Sequence, residues 1–503
     1  MNTAFWSATK LMQALRAKKL SALELFDLYA ARVRQYNRAL NAICVMDLDA
    51  GRKAARAADR AKGKRGPLHG LPMTVKESFD VAGWPTTRGL TEFKDNIAKQ
   101  DALAVERLKR AGAIVFGKTN VPVLLADWQS FNPIYGTTNN PWDLLRTPGG
   151  SSGGAAAALA AGLTGLELGS DSGASIRGPA HYCGVYGHKT TYGICSVRGH
   201  SLPGGVHPAD ISVIGPMARS ADDLKLALDL IAGPDEIGAA GWKLALDRPK
   251  LVSFRKLRVA VMPSHPTAEV DGSVSGAIQR LANALAKKGA KVSDQARPDF
   301  DPAEAHRVFI ALLRGATSAR QSPHHVALWE ELSQKRPKEA MSYEAQAARG
   351  NVMRHKEWLG WSNRRHQMRL AWAEFFKEWD VLLCPTAATP AFPQNQKGER
   401  WERMINVNGQ PQPSTTQMFW AGYSGMCYLP STIAPIELAG GKLPVGVQIV
   451  GPQYGDYRTI AVARLIEREY FGFTPPQPGQ GRPNRQPFNI FERQPQQHWH
   501  EQP

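Results

Sequence analysis

The sequence predicts an α/β fold on three observations. Short apolar runs bounded by Gly and Pro recur along the chain, at residues 73–75, 113–116, 257–262, 381–385 and 444–451. Stretches with apolar residues at helical spacing separate them. The chain has 503 residues, 43% hydrophobic and 8% aromatic, enough for a substantial core in one large unit. The expected organisation is a single domain over 1–475. It includes a helical, Trp-rich insert at 300–380 and is followed by a Pro/Gln-rich, extended tail at 476–503.

Residues 7–65 read as helices, with Leu11, Leu15, Leu20, Leu23, Leu25, Phe26 and Leu28 on the apolar stripe and Ser21 as an N-cap. A second helix is expected from about Leu48 to Lys62. Residues 70–83 (GLPMTVKESFDVAG) form a short strand that ends in Lys76. Residues 101–111 read as a helix and 113–116 as a strand. Residues 112–119 (GAIVFGKT) match a phosphate-loop pattern, but the four intervening residues are themselves strand-like, so nucleotide binding is not expected. Residues 155–163 read as a helix of small side chains, and residues 166–169 as a strand. Residues 184–220 read as Gly-rich loop. Residues 257–293 read as a strand–helix–strand unit.

Lys plus Arg outnumber Asp plus Glu by 62 to 44, a net charge of +18. Such an excess fits nucleic acid, an anionic membrane surface or acidic substrates. The basic residues are scattered along amphipathic helices, so solvated faces are the expectation and no nucleic-acid partner is expected. Five dispersed cysteines without a CxxC pair argue against a disulfide framework and against a structural zinc site. No apolar run reaches the roughly 18 residues of a membrane span. No secretory signal is evident, and the cytoplasm is the expected compartment. His498 and His500 in the tail read as surface residues rather than metal ligands.

Residues 147–180 (TPGGSSGGAAAALAAGLTGLELGSDSGASIRGPA) have little bulk to fill a core. They offer close backbone approach, exposed hydroxyls and free amides, the materials of a nucleophile and an anion pocket. Taken alone, such a run reads as a packing segment. Five stretches together change that reading: 70–83, 111–122 (AGAIVFGKTNVP), 135–162 (YGTTNNPWDLLRTPGGSSGGAAAALAAG), 169–193 (GSDSGASIRGPAHYCGVYGHKTTYG) and 443–452 (LPVGVQIVGP). From about Ser7 to Phe473 the chain resembles the amidase signature family of serine hydrolases.

That resemblance implies a large central mixed β-sheet covered by helices on both faces. It implies hydrolysis of a carbon–nitrogen amide bond through a serine acyl-enzyme, with no metal and no organic cofactor. Lys76 takes the role of catalytic base, Ser151 that of bridging serine reached through a cis peptide, and Ser175 that of nucleophile. The amides of Ser172, Gly173, Ala174 and Ser175 become the oxyanion hole, and Ser152, Asp171 and Arg177 brace the loop. A neutral lysine is needed, so burial must lower its ammonium pKa from about 10.4. The family pattern has a second glycine where this chain has Ala174. We expect that position not to need a positive φ, so that alanine merely narrows the pocket.

The expected partner is a small-molecule amide, aryl or bulky and apolar, and a homodimer stays open. Leu125, Ala126, Asp127 and Trp128 are candidate pocket residues by position, with Tyr192, Cys195, Trp329, Trp361 and Trp420 as looser candidates. The alternatives are the glutaminase subunit of a tRNA-dependent amidotransferase, or an esterase or carbamate hydrolase. The segment Leu124-Leu125-Ala126-Asp127-Trp128-Gln129 does not resemble the amidotransferase pattern.

Overall fold

A computed structural model describes residues 2–63, 65–206, 208–337 and 339–476. The expected tail beyond Pro476, with His498 and His500, lies outside the described residues. Among the described residues, two sheets carry the site. Strands β1 (Ile43–Met46), β2 (Pro72–Lys76) and β3 (Ile114–Thr119) form a three-stranded sheet in the order β1-β3-β2. The larger sheet uses β4 (Glu167–Asp171), β5 (Tyr186–Lys189), β6 (Val213–Ala218), β7 (Arg258–Val261), β8 (Lys291–Ser293), β9 (Val381–Cys384), β10 (Ser431–Ala439) and β11 (Leu443–Val450). Its order is β8-β7-β9-β11-β10-β5-β6-β4. The sheet is mixed: β8, β7 and β9 run parallel to one another, and the remaining pairs are antiparallel.

Helices cover both faces of that sheet. Thr432 and Ile433 are neighbours on β10 and so point to opposite faces. The Thr432 hydroxyl donates to Thr459 of the helix Asp456–Glu469. Ile433 instead clusters with Ile176, Ala180 and Cys183 at the helix Arg177–Cys183.

The N-terminal helices form as their sequence dictates. Ser21 and Glu24 cap the helix Ala22–Leu40 reciprocally, and the Asp59 carboxylate accepts the Ala22 and Leu23 amides. The helix Leu48–Arg60 occupies the expected stretch, but residues 7–65 are not helical throughout, because β1, with its β-branched Ile43 and Val45, pairs with β3 before that helix. The region 302–378 is helical as expected: Pro302–Thr317, Pro323–Lys335, Tyr343–Asn351 and His355–Glu378.

Two further expectations need correction. Residues 184–220 are not a loop throughout, because they contain β5 and β6, whose Gly187, Gly215 and Pro216 disguise buried strands. The strand 113–116 runs on to Thr119, so Gly117, Lys118 and Thr119 of the phosphate-loop pattern are buried ladder residues. No helix among the described residues is long and apolar enough to cross a membrane.

The helix Gly153–Ala160 is fully buried where the two sheets meet. Its small side chains are a steric requirement. A Cβ on Gly154 would lie 2.4 Å from the Asn120 nitrogen and 2.6 Å from the Ala42 carbonyl oxygen, both backbone atoms. Gly154→Ala is therefore expected to destabilise the protein by about 1–3 kcal/mol or more, as overpacking does. Gly360→Ala, with open space around it in the helix His355–Glu378, is expected to stabilise by about 0.5–1 kcal/mol. Thermal melting of both variants checks this, and equal behaviour of the pair contradicts it.

Candidate active site

The site lies at the seam between the sheets. β2 runs beside β4, the edge strand of the large sheet, and Thr74 is bonded to both Thr164 and Glu167. This contact delivers Lys76, the last residue of β2, to the C-terminal end of β4. Lys76 is fully buried, and its Nζ donates to Ser151 Oγ at 2.6 Å and to Ser170 Oγ at 2.9 Å. Burial first, and the Arg88 charge second, hold its ammonium well below the ordinary lysine range. Asp171, Glu77 and Glu167 pull the other way. Glu167 pulls weakly, because burial raises its own carboxyl to about 8.

Ser151 follows a cis peptide bond from Gly150. Ser152 begins the buried small-residue helix, and its Oγ accepts the Ser170 amide at 3.4 Å. The serine turn at 151–152 and the turn at 172–175 are joined by the Ser152 amide, which donates to the Ser175 carbonyl at 3.0 Å. Ser151 and Ser175 line the same cavity, and among the described residues no hydrogen bond links their hydroxyls.

The second turn is built on one buried ion pair. The Asp171 carboxylate accepts from Arg177 Nη2 at 2.8 Å and Nε at 3.0 Å, and from the amides of Ala174 and Ile176 at 2.9 and 3.0 Å. Burial pushes the Asp171 carboxyl up, but the Arg177 guanidinium and the amide donors outweigh it and carry it down to about 2. Arg177 is itself fully buried and satisfied by Ala421, Ser424 and Gln448. The turn is held from the other side by Trp128, whose indole donates to the Gly173 carbonyl at 2.8 Å.

This geometry corrects two expectations. Ala174 does take a positive φ, +71°. The reason is local: its amide must turn back to Asp171 while its carbonyl accepts the Gly178 amide at 2.7 Å to begin the next helix. A left-handed alanine costs roughly 1–2 kcal/mol. The same bond commits the Ala174 amide to Asp171, so it is not available as an oxyanion donor. No protein acceptor takes the Ser172, Gly173 or Ser175 amides among the described residues.

The cavity beside the two turns has a volume of about 640 Å³. Leu125, Ala126, Asp127 and Trp128 line it as expected. Leu124 and Leu125 both sit at positive φ, +53° and +58°, so this wall is conformationally strained. The looser aromatic candidates do not line it. Tyr192 stacks on Tyr428, Trp329 packs edge-on to Trp401, and Trp420 is buried in the core beside Phe419. Trp361 packs against the core, and Cys195 is buried in it. Trp329, Trp361 and Trp420 stand on helices and serve packing, the commoner fate of aromatics at helical spacing.

The sequence reading missed Ser170, the second partner of Lys76, although it stands inside the quoted GSDSG motif. It also missed Arg88, Arg314, Arg400 and Arg403 on the cavity wall. The last three lie far from any motif, and only the fold brings them together. No group of three or more His, Cys, Asp or Glu side chains among the described residues is placed to hold a metal ion.

Comparison with known proteins agrees with this architecture. The amidase family model matches residues 24–460. An indoleacetamide hydrolase of Bradyrhizobium diazoefficiens is 33% identical over 472 residues, covering 92% of this chain and 86% of that protein. A glutamyl-tRNA(Gln) amidotransferase subunit of Deinococcus radiodurans is 32% identical over 489 residues, covering 92% of this chain and 97% of that protein. Among solved structures, a bacterial aryl acylamidase of the amidase signature family superposes with a TM-score of 0.78 at 24% identity, covering 92% of this chain and 96% of that one. The chain therefore belongs to the amidase family and is an amide-hydrolysing enzyme.

Proposed function

We propose that the chain hydrolyses an aryl or bulky apolar amide through a Ser175 acyl-enzyme, with Lys76 as the base and Ser151 as the proton relay. The observation that carries this reading is the 2.6 Å separation of the buried Lys76 Nζ and Ser151 Oγ, beside the Ser175 turn, a distance across which a neutral amine accepts the serine proton. A serine hydroxyl is a weak nucleophile without a base, and a lysine serves as one only when neutral. Burial, and then the Arg88 charge, favour that neutral form.

Ser175 Oγ attacks the amide carbonyl carbon, and its proton passes through Ser151 to Lys76. The developing oxyanion is met by the amides of Ser172, Gly173 and Ser175. The proton then returns through Ser151 to the leaving nitrogen as the C–N bond breaks. Water adds to the acyl-enzyme by the same route, the C–Oγ bond breaks, and the carboxylic acid leaves. Nothing in the acylation step requires nitrogen in the leaving group, so esters and carbamates are also within reach. Leu124, Leu125, Trp128 and Phe392 on the cavity wall support an aryl or bulky apolar group.

A second reading, a glutaminase component of an amidotransferase, is favoured by the likeness to the Deinococcus radiodurans protein over nearly its whole length. It predicts ammonia release from free glutamine and co-purification with partner subunits. The first reading predicts turnover of simple aryl amides by the isolated chain.

Three variants test the roles. Ser175→Ala is expected to lower turnover by at least about 10⁴-fold, and appreciable residual activity would overturn the nucleophile assignment. Lys76→Ala is expected to lose about 10³-fold or more, with weak rescue at raised pH. A loss confined to KM argues against a base. Ala174→Gly is expected to keep its activity and melt no lower than the parent, because relief of about 1–2 kcal/mol of left-handed strain exceeds the roughly 0.5–1 kcal/mol that glycine loses in the unfolded chain. A clear drop in melting temperature would show that the alanine methyl is needed there.

A further inference from the structure

The wall of the cavity carries four guanidinium groups, Arg88, Arg314, Arg400 and Arg403, and one carboxylate, Asp127. Arg403 and Asp127 answer each other at 2.6 Å, and Arg403 also donates to the carbonyls of Lys397 and Gly398. That pair is a neutral brace. Arg88 is buried near Lys76. The remaining two arginines meet at Tyr343.

Arg314 reaches the cavity from the helix Pro302–Thr317, one residue after Leu313, which stands beside Gly173 of the nucleophile turn. Its place is set by close packing. Gly350 on the helix Tyr343–Asn351 comes so near that a Cβ there would lie 2.7 Å from Arg314 Cβ. Arg400 arrives from the loop before the hairpin 404–413. It donates to the Ala126 carbonyl, a neutral acceptor, and its guanidinium carbon lies 5.7 Å from the centre of the Tyr343 ring.

Tyr343 reports the field at this end. Burial alone would raise its phenol, yet Arg314 and Arg400 bring it below the ordinary tyrosine range. Two guanidinium groups on one wall of the cavity suit a planar oxyanion far better than a neutral group. The carboxylates Glu399 and Glu402 stand near Arg400 but do not line the cavity.

We propose that the substrate is an amide with an aromatic or bulky body whose end remote from the scissile bond is a carboxylate, held by Arg314 and Arg400 beside Tyr343. This rests on the reading of the cavity as the amide site. It gives two of the basic residues a role beside the solvated faces expected of the rest, since four arginines line the cavity.

The test compares 4-carbamoylbenzoate with 4-nitrobenzamide, which match in shape and differ in charge, by ammonia release. The expected result is a kcat/KM for the carboxylate that is higher by about tenfold or more, as a charge-assisted contact provides, and a preference that shrinks as salt rises. The double variant Arg314→Gln/Arg400→Gln is expected to lower the ratio of the two kcat/KM values by about tenfold, through KM of the carboxylate. Arg314→Lys keeps part of it. A parent that shows no preference, or a folded double variant that keeps the full ratio, overturns the inference. If the double variant fails to fold, the preference and salt dependence of the parent decide.

Calorimetric binding of both compounds to Ser175→Ala separates the two readings. Tighter binding of the carboxylate with no turnover of either amide by the parent counts against the proposed reaction alone. Turnover of both amides with equal binding counts against the anionic substrate alone.

Discussion

A primary amine that no carboxylate among the described residues bonds, held between two hydroxyls, is the constraint on which this molecule depends. Lys76 can occupy that place because β2 ends at the seam of two sheets and because the Ser151 and Ser170 hydroxyls lie within hydrogen-bond distance of its Nζ. An exposed lysine would stay charged at neutral pH. Here the missing solvent and the neighbouring Arg88 favour the neutral form. The surrounding small residues follow from the same need. The serine turns must approach β2 and β4 closely, and the buried helix Gly153–Ala160 leaves room for them.

The opposite electrostatic choice is made one strand residue away. Asp171 and Arg177 keep their charges in the same buried region because each has a full set of partners. That pair turns the chain sharply after β4 and puts Ala174 at a positive φ. Such buried pairs often add little net stability, yet removing one partner leaves an uncompensated charge and costs about 3–5 kcal/mol. The site thus sets a depressed lysine beside a strengthened carboxylate. The division is the one that the proposed base catalysis would use: a lysine whose neutral form is favoured and a carboxylate held charged as scaffold.

The residues proposed for the chemistry were nameable from the sequence because they are local: Lys76, Ser151 and Ser175 sit in Gly-containing motifs whose order matched a family. The α/β alternation was legible for the same reason. Strand β10 was not, because Pro435 interrupts it, and the register does shift between Pro435 and Glu437. The Ala174 backbone was misread because φ there is dictated by Asp171, a relation invisible without the turn. The arginine wall was illegible because Arg314, Arg400 and Arg403 come from separate helical and loop segments whose own sequence looks like ordinary surface.

The central claim is that a neutral, buried Lys76 activates Ser175 through Ser151. The most direct measurement is the pH dependence of fluorophosphonate labelling, with the labelled residue mapped by mass spectrometry. The account predicts one label, on Ser175, formed at a rate that falls as pH is lowered through a midpoint well below that of a free lysine, with Lys76→Ala labelling slowly at every pH. Labelling of another residue, or a Ser175 rate that is independent of pH and unchanged in Lys76→Ala, would contradict it.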